Sequence, residues 1–170
     1  VELTRDLAIR FNHTYGSVFV VPEVTLPRVG ARVMDLQDPG RKMSKSVDPD
    51  TGVIRLLDPP DVVRRKVARA VTDSDTGPSA VRPSPDKPGV TNLLEILGAC
   101  GGSADGITTY GALKSAVTEA VVATLEPLQK AYAELADDPS YVDSVFAAGS
   151  VRCREVTASV LADATAAMGL

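Results

Sequence analysis

Tryptophan is absent from this 170-residue chain, aromatic residues make up 4% of it, and it has one histidine and two cysteines. With few large rings, the 44% of hydrophobic residues is mainly Ala, Val and Leu, which favours helices packed through small side chains. The lone His13 lies at a helix end in Asn12-His13-Thr14-Tyr15 and reads as structural. No Ser/His/Asp set, paired carboxylates, Walker-type glycine loop or zinc spacing is present. Cys100 and Cys153 are too few and too far apart for a disulfide framework. They read as buried reduced thiols, which suit a cytoplasmic protein. There is no signal-peptide pattern, no apolar run long enough to span a bilayer, and no internal repeat. A net charge of −4 excludes a uniformly basic nucleic-acid binder.

What the chain does have is a basic loop between turn residues. Arg41-Lys42-Met43-Ser44-Lys45-Ser46 lies between Asp38-Pro39-Gly40 and Val47-Asp48-Pro49-Asp50. Pro39 and Pro49 lack a backbone donor and Gly40 permits positive φ, so no regular helix crosses the stretch. Just upstream, Ala31 to Leu36 is predicted as a short buried strand. A strand that runs into a loop with two lysines three apart presents ammonium groups on long stems to phosphate oxygens. Arg28 to Arg69 carries ten Lys/Arg against six Asp/Glu, whereas Ala70 to Leu170 carries six against thirteen. A basic section on an acidic chain fits an anionic ligand held at one place. A solvated surface loop would carry the same residues, and charge alone does not separate the two.

The remaining pattern supplies a frame. Val1 to Asn12 has a helical stripe of Leu3, Leu7, Ala8 and Phe11, and Ser17 to Val21 is predicted as a strand. A helix, a crossover and a strand ending at a ligand loop match the last part of a nucleotide-binding α/β sheet. Beyond Leu57 the chain reads as all helix. Asp58 is the expected cap and Pro59 the first helical residue, with Val63, Val67, Ala70 and Val71 inward. Arg64, Arg65, Lys66 and Arg69 form a face that is either solvated or set against RNA phosphate. Asp75 to Gly89, rich in Pro, Gly and Ser, is expected to be mobile. Thr91 to Ala99 is a short helix with Leu93, Leu94, Ile96 and Leu97 as core. Thr109 to Leu135 is a long one, kinked at Pro127, with Leu113, Val117, Ala120, Val121 and Leu128 inward. Pro139 opens the last helix, whose stripe is Val142, Val145, Phe146, Gly149, Cys153, Val156 and Val160.

Lys42-Met43-Ser44-Lys45-Ser46 resembles the signature loop of class I aminoacyl-tRNA synthetases. Gly30-Ala31-Arg32-Val33-Met34-Asp35-Leu36, Ala70-Val71-Thr72-Asp73-Ser74 and Met168-Gly169-Leu170 resemble bacterial-type tryptophanyl-tRNA synthetases, and the resemblance runs from Val1 to Leu170. It implies an α/β Rossmann-type end of a catalytic domain over residues 1–52, followed by an all-α anticodon-binding bundle over residues 53–170. The last helix would return to the catalytic domain. It also implies ATP, with Mg²⁺ on its phosphates, together with tryptophan and tRNA(Trp), in a homodimeric full-length ligase of the cytoplasm with no membrane partner. Lys42 and Lys45 would be catalytic. The main chain at Val33 and Met43 would border adenine, and Ser44 and Ser46 would brace the loop or donate to phosphate. The chain departs from the family where Val47, followed by Asp48, replaces the acidic residue that commonly follows Ser46. The family's His-containing motif, its main tryptophan-recognising residues and its Gly-Asp/Glu-Asp-Gln segment do not occur. The chain is therefore expected to be the C-terminal half of a longer enzyme and inactive alone. Two alternatives stay open: a tyrosyl-tRNA synthetase of the same architecture, or a non-catalytic helical tRNA-binding or interaction fragment, for which the basic face would be the distinguishing feature.

Overall fold

Small apolar residues at three- and four-residue spacing set most of the structure. The computed structural model describes residues 1–27, 30–46 and 49–170. Among these, the helices are α1 (Glu2–Tyr15), α2 (Pro60–Ala68), α3 (Pro88–Ala99), α4 (Tyr110–Ala136) and α5 (Pro139–Met168), with a 3-10 turn at Asp50–Gly52. No helix among the described residues is long and apolar enough to cross a membrane. The chain forms two compact units, Pro27–Ala133 and the pair Val1–Leu26 with Glu134–Leu170.

In the first unit, α2, α3 and α4 share a core of Val63, Val67, Val90, Leu93, Leu97, Leu113, Val117 and Val121. Leu113, Val117, Val121 and Leu125 recur every four residues, so one face of α4 is buried for three turns. That row ends at Leu125, and Leu128, expected inward, is exposed. The helix continues through Pro127. α2 starts one residue later than expected, with Pro59 as its cap position and Pro60 inside the first turn. Asp58 does not cap it, because its carboxylate accepts instead from the Lys66 ammonium and the Arg55 N–H. Val71 is exposed rather than core: α2 stops at Ala68, and the Val71 N–H is turned to the Leu36 carbonyl at 2.7 Å.

Neither predicted strand forms. Ala31 to Leu36 makes one antiparallel bridge, Met34 to Lys42, and Ser17 to Val21 makes none. A strand needs backbone partners, and here side-chain amides take that role. Asn12 accepts from the Val18 and Phe19 N–H groups and donates to the Phe19 carbonyl. Asn92 does the same for Met34.

The loop from Asp75 to Gly89 is not loose. Lys87, 4% exposed, pairs with Asp73 at 2.9 Å and Asp75 at 3.0 Å and donates to the Tyr110 hydroxyl, which itself donates to Asp73. Ser84 and Thr91 hold the next turn. Polar contacts thus order a segment that has little apolar surface of its own.

In the second unit α5 touches α1. Phe11 stacks edge-on to Phe19 with centroids 4.7 Å apart. The expected apolar stripe of α5 is not covered: Val145, Phe146, Val156, Val160 and Cys153 are exposed, and Ala164 is buried. Cys153 is therefore an exposed thiol rather than a buried one, and Cys100 is half-buried; both are free. A stripe becomes core only where a second surface meets it.

Candidate functional site

The basic loop is built on a short β-like contact. The Asp35 N–H donates to the Arg41 carbonyl at 2.8 Å, and the Met43 N–H donates to the Val33 carbonyl at 2.9 Å. These bonds flank the Met34–Lys42 bridge and fix which side chains of the loop point together. The return of the loop is fixed too, because the Leu36 N–H donates to the Gly52 carbonyl at 2.9 Å. Gly52 is required there: a Cβ would sit 1.7 Å from the Asp35 carboxylate oxygen.

Val33 and Met43 are half-buried and pack on the helical core, so the base of the loop is anchored. Lys42, Ser44, Lys45 and Ser46 are exposed. Ser44 accepts from the Ser46 N–H at 3.5 Å, a long contact within the turn. Lys42, Met43, Lys45 and Val33 line one cleft of about 630 Å³, together with Gly30, Ala31, Arg32 and Val53 to Leu57. Ser44 and Ser46 are not among its lining residues. The volume lies within the roughly 300–1,000 Å³ usual for small-molecule sites. The Val47 departure, Asp48, and Arg28 of the basic section lie outside the described residues.

Two cations at this cleft were not singled out from the sequence, Arg32 and Arg55. Arg55 pairs with Asp50 at 2.7 Å. That hydrogen bond, followed by one from Lys66, holds the Asp50 carboxyl below its usual range. The lining holds no carboxylate and offers an anion Arg32, Lys42 and Lys45, with Arg55 beside them already paired to Asp50. A second cleft of about 660 Å³ shares Arg32, but it is lined with prolines, Met34 and the carboxylate Glu95, and suits a polyphosphate less well.

Of the expected basic face, Arg64, Arg65 and Arg69 are exposed, while Lys66 is 8% exposed. Its ammonium donates to Asp58 at 2.8 Å, to the Val53 carbonyl at 2.8 Å and to Asp50 at 3.3 Å. It is a structural cation holding the loop's return segment to α2, not part of a phosphate-facing surface. The spacing Val63, Lys66, Val67, Ala70 places it on the inward face, a signal that its charged neighbours hide.

Comparison with known proteins gives a consistent picture. The family model described as class I tRNA synthetases (W and Y) matches residues 1–136. The chain is 50% identical over 175 residues to tryptophan–tRNA ligase 1 of Streptomyces coelicolor, covering 100% of this chain and 52% of that protein. It is 51% identical, with the same coverage, to tryptophan–tRNA ligase 1 of Streptomyces avermitilis. The crystal structure of tryptophanyl-tRNA synthetase from Mycoplasma pneumoniae matches with a TM-score of 0.89 at 32% identity, over 99% of this chain and 52% of that one. The Campylobacter jejuni synthetase, complexed with ADP and tryptophan, matches in fold with a TM-score of 0.64 at 24% identity, over 99% and 53%. The chain spans about half the length of the curated relatives it matches.

Proposed function

The chain belongs to the class I tRNA synthetases for tryptophan and tyrosine, and from that premise we propose that it is the ATP-clamping part of a tryptophan–tRNA ligase. The whole enzyme would join tryptophan, ATP and tRNA(Trp) into tryptophanyl-tRNA, releasing AMP and pyrophosphate. The observation that carries this reading is the convergence of Lys42, Lys45, Val33 and Met43 on one cationic cleft. Tryptophan is preferred to tyrosine because relatives at 50 and 51% identity are tryptophan–tRNA ligases.

In this proposal the tryptophan carboxylate attacks the α-phosphorus and pyrophosphate leaves. No protein nucleophile is needed; what counts is positioning and compensation of charge on the phosphate oxygens. Val33 and Met43, fixed by their mutual hydrogen bond, border the adenine through main chain. Lys42 and Lys45 meet the phosphates, and a contact that strengthens as pyrophosphate departs lowers the barrier rather than only tightening ground-state binding. Ser44 and Ser46 serve the turn that carries Lys45. The cleft lining contains no carboxylate, and no group of three or more potential ligands for a metal occurs among the described residues. These residues do not fit a protein-held Mg²⁺.

The same reading makes residues 1–52 the end of a Rossmann-type catalytic domain and residues 53–170 the anticodon-binding part. The full-length protein would be a cytoplasmic homodimer. The chain alone would not activate tryptophan, for the described residues supply no recognised pocket for the indole. The rival reading, a non-catalytic RNA-binding fragment, is weakened by the burial of Lys66 within its basic face.

The test is Lys45→Ala in the full-length protein that carries this chain. Tryptophan-dependent ATP–pyrophosphate exchange should slow by about 100- to 1,000-fold, the effect of losing one transition-state contact, with tryptophan affinity little changed. Exchange that stays within about threefold of the original rate would refute the role given to Lys45.

A further inference from the structure

We infer that Asn92, on α3, is a positioning residue for the nucleotide: it clamps the main chain of Met34 and so keeps Lys42 and Val33 in register at the cleft. The inference rests on the reading of that cleft as an ATP site. Its basis is the division of hydrogen bonds along Val33-Met34-Asp35. The Val33 carbonyl and the Asp35 N–H point towards the signature loop, to Met43 and Arg41. The Met34 N–H and carbonyl point the opposite way, as alternation along an extended chain requires. There they meet one side chain. The Met34 N–H donates to Asn92 Oδ1 at 2.9 Å, and Asn92 Nδ2 donates to the Met34 carbonyl at 2.8 Å.

A carboxamide carries the same acceptor and donor as a peptide group, so Asn92 stands in for one residue of a neighbouring strand. The pairing it supports is otherwise a single bridge, Met34 with Lys42, and among the described residues no further ladder holds it. Asn92 is 2% exposed, so its amide is directed to Met34 rather than to solvent. If the amide is lost, two part-buried main-chain groups lose their partners, and the cheapest relief is a shift of Met34. That shift moves Lys42, its bridge partner, and Val33, the neighbour bonded to Met43. Asn92 touches neither lysine; it acts through Met34.

The experiment uses the full-length protein and ATP–pyrophosphate exchange, with KM for ATP and for tryptophan measured separately. Asn92→Leu keeps the volume and removes both hydrogen bonds. Its kcat/KM for ATP should fall about tenfold or more, while KM for tryptophan stays within about twofold. Val117→Ala is the control: Val117 is a fully buried core residue of α4 with no hydrogen bond to Met34, and its cavity should lower stability without this ATP-selective loss. On the Asn92→Leu background, Lys42→Ala should cost less than it does alone, because both changes disable the same contact. Should Asn92→Leu fail to fold, Asn92→Asp, which keeps the acceptor for the Met34 N–H and replaces the donor, must show the same ATP-selective loss. Variants that keep kcat/KM for ATP within threefold, or that lose ATP and tryptophan in parallel as Val117→Ala does, overturn the inference. Lys45→Ala, measured alongside, separates the two levels. If Lys45→Ala is silent, the reading of the cleft fails; if it is crippled while Asn92→Leu is normal, only the role of Asn92 fails.

Discussion

Replacing Lys66 by Met should destabilise the chain severely, although a reading of charge alone would put Lys66 on a solvated face. Met keeps the length and much of the apolar stem, so the packing of α2 against Val53 is largely retained. What goes is an ammonium whose three donors meet three acceptors: Asp58 at 2.8 Å, the Val53 carbonyl at 2.8 Å and Asp50 at 3.3 Å. Removing one member of a buried ion pair costs about 3–5 kcal/mol, because the partner charge is left without compensation. Asp58 keeps its bond from the Arg55 N–H at 2.9 Å, which places this case near the lower end, about 3 kcal/mol. For a chain of this size that is a fall in melting temperature of about 6–12 °C. Urea unfolding followed by circular dichroism should show a lower midpoint with an unchanged slope. Adding Asp58→Asn to Lys66→Met should cost less than the two single losses together, since the orphaned charge is removed. A loss below about 1 kcal/mol, additive with Asp58→Asn, would mean the cluster is an ordinary solvent-screened pair and the reasoning is wrong.

Two other perturbations test the surroundings of the site. Gly52→Ala places a methyl 1.7 Å from the Asp35 carboxylate, which already accepts from the Gln37 N–H at 2.7 Å and the Asp38 N–H at 3.1 Å. An overpacking loss of about 1–3 kcal/mol is expected, partly relieved by Asp35→Ala; an unchanged urea midpoint would contradict it. Acid should free the loop between Asp73 and Lys87. The Tyr110 hydroxyl first, then Lys87, hold the Asp73 carboxyl well below its usual range, and Lys87 with the Gly77 N–H does the same for Asp75. Both depressed carboxyls therefore contribute stability fully above the unfolded value near pH 4, and it is lost as pH falls through their lower folded values. Burial alone would lower the Lys87 ammonium, but its bonds to Asp73, Tyr110 and Asp75 prevail and raise it, so its contribution persists to pH 10 and beyond. Hydrogen exchange should show the loop protected at pH 6–8, and unprotected at neutral pH in Lys87→Met. A wild-type loop that exchanges freely at pH 7 would sink the idea.

The sequence showed the helices well and the hydrogen-bond economy poorly. Val63, Val67, Leu93, Leu97, Leu113 and Val117 recur at helical spacing, and burial follows periodicity wherever a second helix supplies the opposing surface. Where none does, as along Val145, Phe146, Val156 and Val160, the same spacing stays exposed. The predicted strands failed for a related reason. β-branched and aromatic residues at Val18 to Val21 and Val33 fit an extended chain, but a strand exists only if other backbone meets it, and composition cannot report that. Lys66 and Asn92 are hidden by type: one lies among charged neighbours, the other is a polar residue in an apolar helix. Position rather than type would have found both, since Lys66 lies three residues after Val63 and Asn92 four before Ile96, each on a buried face. The lysines of the loop were legible because their spelling resembles a known signature, not because charge or periodicity required them.

In the proposed reading, the arrangement of the loop gives Lys42 and Lys45 different roles. Lys42 sits at the base, opposite Met34, between two main-chain bonds of 2.8 and 2.9 Å and one residue from the core-packed Met43. Lys45 is in the exposed turn beyond it, where the described contact is the long Ser46 N–H to Ser44 bond. A group fixed before the reaction contributes equally to ground and transition states unless the ligand moves towards it. A group on a movable turn can gain its contact as charge develops. The base must therefore be rigid for the tip to be useful, since a lysine that swings from a wandering anchor loses the orientation that makes the contact worth having. That rigidity comes from outside the loop: Asn92 of α3 holds Met34, and Lys66 of α2 holds Val53 and Asp50. In this proposal, two helices that carry no substrate contact thus set the anchor from which Lys45 acts. Asn92 should consequently alter the binding of ATP, whereas Lys45 should alter the rate at which bound ATP reacts.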